Sequence, residues 1–290
     1  MKGLKIIVIL SLLIAVLAAA ASAAGLFLPG HGEAYTFTTI RGYEAEIYGQ
    51  GLYRYDSVFT GANFWGQDSA TLFIAVPLLL LFLVLFMTGS HRAGLLLLGM
   101  LTYFLYVYST MALAAMFNEL YLLYVLLFSL SFFAVIILYR KLSLNTLQGE
   151  DVQRLPRKAP GIYFIVSGIL TLSLWLEPVI SAMLNENVPE LVGHYTTTVT
   201  FSLDLALITP AAVLSGIMIL RKKAEGYAIA FMLLGVIVML GPVITLGTIS
   251  QIRAGVSFTP AEIIGPISGF LVLALVSIWI IISILRKLPR

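Results

Sequence analysis

Two carboxylates interrupt stretches that are otherwise apolar: Glu177, in Leu172-Ser173-Leu174-Trp175-Leu176-Glu177-Pro178, and Asp204, in Leu203-Asp204-Leu205. An acid near the centre of a membrane helix costs about 2.5–3.5 kcal/mol on insertion scales, so it normally faces the bundle interior or a wet cavity. Thr196, Thr200 and Asp204 recur at four-residue spacing, with Thr197 beside them and His194 just above, which draws one polar stripe along a helix face. Such hydroxyls either hold water and a polar ligand or back-bond to their own helix carbonyls. If Glu177 and Asp204 face each other from consecutive helices, they share a proton or hold a cation. In an enzyme the same pair serves as general acid and base or grips a divalent ion. Pro178, Pro210, Pro242 and Pro266 fall in four successive apolar runs. Each removes a backbone donor and strands a carbonyl, making either a packing kink or a ligand for a cation.

A second group of chemistry-bearing residues is Tyr53-Arg54-Tyr55-Asp56. Here Arg54 pairs with an acid or with an anionic ligand group, while Asp56 either joins a site or fixes a turn. Asp68, Asn118, Glu119, Glu186, Glu190, Arg253 and Glu262 complete the outer mouth, whose acidic balance favours a cation or a polyhydroxylated ligand. Other machinery is missing from the sequence: it has no phosphate-binding glycine loop, no His-Glu-x-x-His and no Gly-x-Ser-x-Gly elbow. His31, His91 and His194 are too scattered for a histidine zinc site, and the absence of cysteine excludes thiolate chemistry. The residues leave the identity of any cofactor or metal open.

The elements that must carry these residues follow from composition. In 290 residues, 60% are hydrophobic and 11% charged, and the mean hydropathy is +1.01. The lipid bilayer is therefore the solvent, and nucleic acid is excluded as a partner. Eight apolar runs are each long enough to cross as a helix, near 4–28, 70–88, 93–116, 120–139, 161–184, 196–220, 226–250 and 261–285. Alternating segments of a membrane barrel are not visible. With the N-terminus in the cytoplasm, fourteen of the seventeen Lys and Arg fall inside and only Arg41, Arg54 and Arg253 fall outside. The expected location is the cell membrane, multi-pass, with both termini cytoplasmic if the first helix is retained. Residues 1–24 also satisfy a signal-peptide pattern, with Lys2 and Lys5 before an apolar core and then Ala18-Ala19-Ala20-Ala21-Ser22-Ala23-Ala24. The run continues to Leu28, which favours retention.

The expected fold is all-α transmembrane: an eight-helix bundle with a small extracytoplasmic cap between helices 1 and 2. One polytopic domain covers 1–290, with the cap at 29–69 and a cytoplasmic loop at 140–160 that reads as a hinge between two four-helix halves. No sequence repeat relates those halves. Within the cap, Tyr35-Thr36-Phe37-Thr38-Thr39-Ile40 and Glu44-Ala45-Glu46-Ile47-Tyr48 alternate like the strands of a short hairpin around Arg41-Gly42. Residues 60–68 read as ordered loop because Gly61, Asn63, Gly66 and Asp68 punctuate them. About forty residues cannot build their own core, so the cap must pack on the helix ends.

Several segments carry a resemblance: Phe37-Thr38-Thr39-Ile40-Arg41-Gly42, Gly51-Leu52-Tyr53-Arg54-Tyr55-Asp56-Ser57-Val58, Gly66-Gln67-Asp68, Tyr103-Phe104-Leu105-Tyr106-Val107-Tyr108, Phe117-Asn118 with Leu122-Leu123-Tyr124, and Leu203-Asp204-Leu205 with Pro210. Over most of the chain they resemble prokaryotic polytopic membrane proteins of about eight helices whose activity is uncharacterised. That resemblance implies topology and a polar core around these residues, and no activity. Three functions compete on the residues themselves. The first is an outward-facing polar cavity, with Glu177, Asp204, Thr200, His194, Thr196, Arg54 and Asp56 around it, that binds a small polar ligand or cation in a transporter, sensor or binding subunit. The second is an intramembrane enzyme acting on a lipid or lipid-linked substrate through paired carboxylates. The third is a structural subunit with a membrane-protein partner.

Overall fold

The computed structural model describes residues 2–28, 30, 32–145 and 150–288. Pro29, His31, Arg290 and the 146–149 stretch of the inner loop lie outside the described residues, as does the side chain of Glu190. Eight helices are long and apolar enough to cross a bilayer: α1 Lys2–Phe27, α2 Val58–Met87, α3 His91–Ala114, α4 Tyr121–Asn145, α5 Lys158–Leu184, α6 Val199–Leu220, α7 Ala224–Arg253 and α8 Pro260–Leu285. A helix satisfies its backbone hydrogen bonds within its own segment, which is why continuous apolar runs can take this form in lipid. The architecture is that of a polytopic membrane protein.

Between α1 and α2, strands β1 Tyr35–Thr38 and β2 Glu44–Ile47 pair antiparallel, with Tyr35 opposite Ile47 and Thr38 opposite Glu44. The turn closes through Thr39 N to Tyr43 O and Gly42 N to Thr39 O, and Gly42 takes a φ of +84° that other residues resist. This is the expected hairpin. It marks one end of the bundle, here the hairpin end. Both described chain ends lie at the opposite, basic end, where Arg92 donates to the carbonyl of Leu288.

Three expectations need correction. Residues 60–68 are helical: α2 starts at Val58, capped by Ser57 Oγ accepting from Thr60 N at 3.1 Å. The glycines that read as turn signals serve packing instead, since a Cβ on Gly66 would overlap the backbone of Gly247 in α7. At the other site, α6 starts at Val199, so Thr196 lies in a loop and does not extend the stripe of Thr200 and Asp204. The 140–160 segment is also no free hinge over its described part. A short helix Glu150–Arg154 is followed by buried Leu155, Tyr227 Oη donates to Pro156 O at 3.1 Å, and Lys222 Nζ donates to Gln153 Oε1 at 2.7 Å.

Although no sequence repeat is apparent, the halves α1–α4 and α5–α8 share one plan. In α2 a π-turn occupies Thr71–Ala75, Pro77 follows, and twelve residues Val76–Met87 complete the helix. In α6 a π-turn occupies Asp204–Ile208, Pro210 follows, and twelve residues Thr209–Leu220 complete it. Three residues, 88–90 and 221–223, then lead into α3 and α7. A π-turn widens the helix just ahead of each proline, whose ring would otherwise clash with the carbonyl one turn earlier. The halves meet where α3 crosses α7, so closely that a Cβ on Gly99 or Gly235 would overlap the other's backbone. Around that crossing α2 packs on α7 and α6 on α3. The halves differ in closure. α1 packs along α4, whereas α5 and α8 meet through Tyr163, whose hydroxyl lies 2.8 Å from Ser277 Oγ. In its hairpin-end half α8 still packs on α7 near Gly241, but its other face is exposed, with nothing near a Cβ on Gly265 or Gly269.

Candidate functional site

The hairpin is held down by a clasp centred on Asp56. Its Oδ1 accepts from the backbone N of Met116, after α3, at 3.0 Å and from the hydroxyl of Tyr195, before α6, at 2.8 Å. Tyr195 Oη in turn accepts from Ser57 N at 3.1 Å. Arg41 donates to the carbonyls of Gly193 and Tyr195, and Tyr43 Oη donates to Gly193 O at 2.8 Å. His194 Nε2 sits 3.0 Å from Tyr55 O. One hairpin therefore ties together the loops of both halves, and residues 193–195 cannot join α6 because they are used here.

Asp56 is 1% exposed and its Oδ2 has no partner. Loss of water pushes its carboxyl up to about 7, against the two donated hydrogen bonds, which act to lower it. The same burial raises the hydroxyl of Tyr195, where the nearby Asp56 charge adds to the effect, and lowers His194, whose Nδ1 is also unpartnered. Arg54 is engaged at the rim: its guanidinium pairs with Glu119 and lies 4.7 Å from the ring of Tyr55. The hydrogen bond from Arg54 holds the Glu119 carboxyl below its usual range.

Beneath the clasp is a second buried acid, which the sequence reading assigned to the cap loop. Asp68 lies on α2, where its Oδ2 accepts from Tyr53 Oη at 2.5 Å. Both groups rest on Gly25 of α1, where any Cβ would overlap them. Ser22 and Tyr108 lie beside Asp68, and the Tyr124 hydroxyl lies within electrostatic reach of both Asp68 and Asp56, next to Tyr53 and Asn118. Ser22 Oγ, Tyr124 Oη and Asn118 Nδ2 are buried without a well-formed hydrogen bond. A buried polar atom left unpaired costs about 1–3 kcal/mol, so this region favours whatever water, proton or cation can satisfy it. Among the described residues, no basic side chain is bonded to either acid.

The signal for Asp68 was present in α1. Ser11, Ala15, Ala18, Ser22 and Gly25 follow one another at intervals of four and three, a stripe of small residues on one face. Ser11, Ala15, Ala18 and Ser22 are all buried. The alanine-rich run, which matches a cleavage-site pattern in sequence, thus has a packing role in the bundle.

The structure does not pair Asp204 with Glu177. Asp204 Oδ1 accepts from Tyr106 Oη at 3.0 Å and Oδ2 accepts from Trp175 Nε1 at 2.8 Å, and the Trp175 ring stacks on Phe201 at 4.3 Å. Both oxygens are thus used in joining α3, α5 and α6. Glu177 stands two residues beyond Trp175, roughly 200° around α5, and is exposed. Thr200 stays near Asp204 on α6, while Thr196 is exposed in the loop. Of the seven expected site residues, Asp56, Arg54 and His194 gather at the clasp, Asp204 is held in a separate clamp with Thr200 one turn before it on α6, and Glu177 and Thr196 join neither. Glu177 and Asp204 therefore do not form a carboxylate pair.

Among the described residues, no three of His, Asp and Glu come together in a group able to hold a metal ion. A cation at Asp56 and Asp68 would rely on hydroxyl and amide oxygens as well as carboxylates. Comparison with protein-family models, with curated proteins and with solved structures finds no match to this chain.

Proposed function

We propose that this polytopic membrane protein binds a small cation, or a small polar ligand bearing positive charge, beneath its hairpin on the outer face of the cell membrane. The observation that carries the reading is two buried acids, Asp56 and Asp68, each within electrostatic reach of the Tyr124 hydroxyl, with no basic partner among the described residues and with Ser22, Tyr124 and Asn118 nearby unsatisfied. Orientation follows from the basic residues: the end away from the hairpin carries nearly all of them, so it faces the cytoplasm. Transport, sensing or service as a binding subunit would all use such a site, and flux into proteoliposomes distinguishes the first. A role as a subunit is the second reading, favoured by the exposed face of the hairpin-end half of α8.

The test uses the full chain in phosphatidylcholine nanodiscs. Thermal unfolding is followed while sodium, potassium or calcium chloride replaces choline chloride at constant ionic strength. The expected result is a saturable rise in Tm with one of these cations that is lost in Asp68→Asn. Indistinguishable Tm values in all four salts would overturn the reading.

A further inference from the structure

Asp68 faces α1, but the α7 side of α2 borders a different feature. An open cavity of about 300 Å³ lies between the hairpin, the start of α2 and the end of α7, walled by Tyr48, Gln50, Val58, Trp65, Ser250 and Arg253. It is at the small end of the range for ligand pockets. Its polar groups are unspent. Among the described residues, the other two arginines of the hairpin end are engaged, Arg41 with two carbonyls and Arg54 with Glu119. Arg253 makes neither a hydrogen bond nor an ion pair, although it is the last residue of α7 and lies in the cavity wall. Among the described residues, Trp65 Nε1, the Tyr48 hydroxyl and the Gln50 amide also have no partner.

We infer that this cavity is a binding site for a small anion, a phosphate or carboxylate oxygen group carried on a compact apolar or ring-bearing body. The Arg253 guanidinium offers a planar fork of donors to such a group, and the indole N–H of Trp65 and the Gln50 amide add neutral donors. The faces of Trp65 and Tyr48 supply a surface for the body of the ligand. An arginine in the last turn also offsets the negative end of the α7 dipole. That role accounts for the charge but not for the aromatic cavity around it. The site uses none of the residues of the cation site proposed above, although Trp65 stands one turn before Asp68 on α2.

Two sources can deliver this chemistry: a phospholipid headgroup at the membrane surface, or a water-soluble anion. The probe is phenyl phosphate, titrated by calorimetry onto the full chain in nanodiscs of pure phosphatidylcholine and of phosphatidylcholine with phosphatidylglycerol. The site predicts saturable one-to-one binding in phosphatidylcholine. Arg253→Gln should weaken it by about tenfold or more with only the small fall in Tm expected from losing an exposed helix-end charge. Trp65→Phe, which keeps a ring but loses the N–H, should weaken it by less. At high ionic strength, which screens the general repulsion of the probe by the anionic surface, weaker apparent binding in the phosphatidylglycerol discs identifies the headgroup as the resident ligand, and equal binding in both discs identifies a soluble anion. No saturable binding, or affinity unchanged in Arg253→Gln, would overturn the inference and leave Arg253 as a helix-end charge only.

Discussion

The two four-helix halves share a plan of interruptions, yet they treat their acids differently. In α1–α4 the acid near the π-turn, Asp68, is closed over by Tyr53 and rests on Gly25. In α5–α8 the acid at the π-turn, Asp204, is clamped between Tyr106 and Trp175, and no hairpin belongs to that half. One carboxylate therefore sits among unsatisfied atoms and the other has both oxygens used. The contrast teaches that the depth of an acid along a span says little about its role. What matters is whether its neighbours leave hydrogen-bonding capacity unspent.

The largest effect that would break this contrast is on pH dependence at the lid. Burial raises the Asp56 carboxyl from 3.8 to about 7, so the folded state holds a proton that the unfolded chain releases. The contribution is fully present below about pH 4 and is lost as pH rises through about 7, a change of up to about 4 kcal/mol. Thermal unfolding from pH 4 to 8 should show a falling Tm in the native chain and a flatter profile in Asp56→Asn. Parallel profiles would mean that the lid does not titrate.

Next in size is the packing contrast. Gly235→Ala, at the α3–α7 crossing, should destabilise by about 1–3 kcal/mol because the new methyl meets the Gly99 backbone. Gly269→Ala, on the exposed face of α8, should stay within about 0.5 kcal/mol. Denaturation in a matched detergent compares them, and equal losses would mean that this face is covered in the folded protein.

A smaller effect concerns the clamp. Trp175→Phe removes one hydrogen bond to Asp204 and should cost about 1–2 kcal/mol of stability, with the cation response of Asp56 and Asp68 unchanged. A lost cation response would join the two sites. Smallest of all, Glu177→Gln should leave stability within about 0.5 kcal/mol, since the side chain is exposed and makes no bond in the bundle.

The spans, the hairpin and the isolation of Asp204 in an apolar helix were readable from the sequence, because each rests on a local pattern: continuous hydrophobicity, alternation, or one acid among leucines. The fate of residues 60–68 was not. Gly61 and Gly66 look like turn formers until Tyr48 and Gly247 are found packed against them, and those partners come from the hairpin and from α7. Helical spacing predicted a stripe through Thr196, but the loop before α6 is recruited by Arg41, Tyr43 and Asp56, which no local pattern announces. The kinship of the halves was hidden for a related reason. It lies in the placing of two π-turns, two prolines and a pair of crossing glycines, while the side chains around them diverge.

The glycine contacts of α7 also set a constraint on how the chain is made. α2 and α3 enter the membrane early in synthesis, but Gly66 and Gly99 find their partners, Gly247 and Gly235, only when the seventh helix arrives. Until then both early helices present close-packing faces to lipid, and the hairpin itself waits for the loop before α6 to bring the Tyr195 hydroxyl that secures it. Assembly is thus dominated by contacts distant in sequence, which slows folding and lengthens the interval of exposure to quality-control proteases. A chain that stops short of α7 loses more than its last two helices, because it also leaves its first half without the surface that completes it.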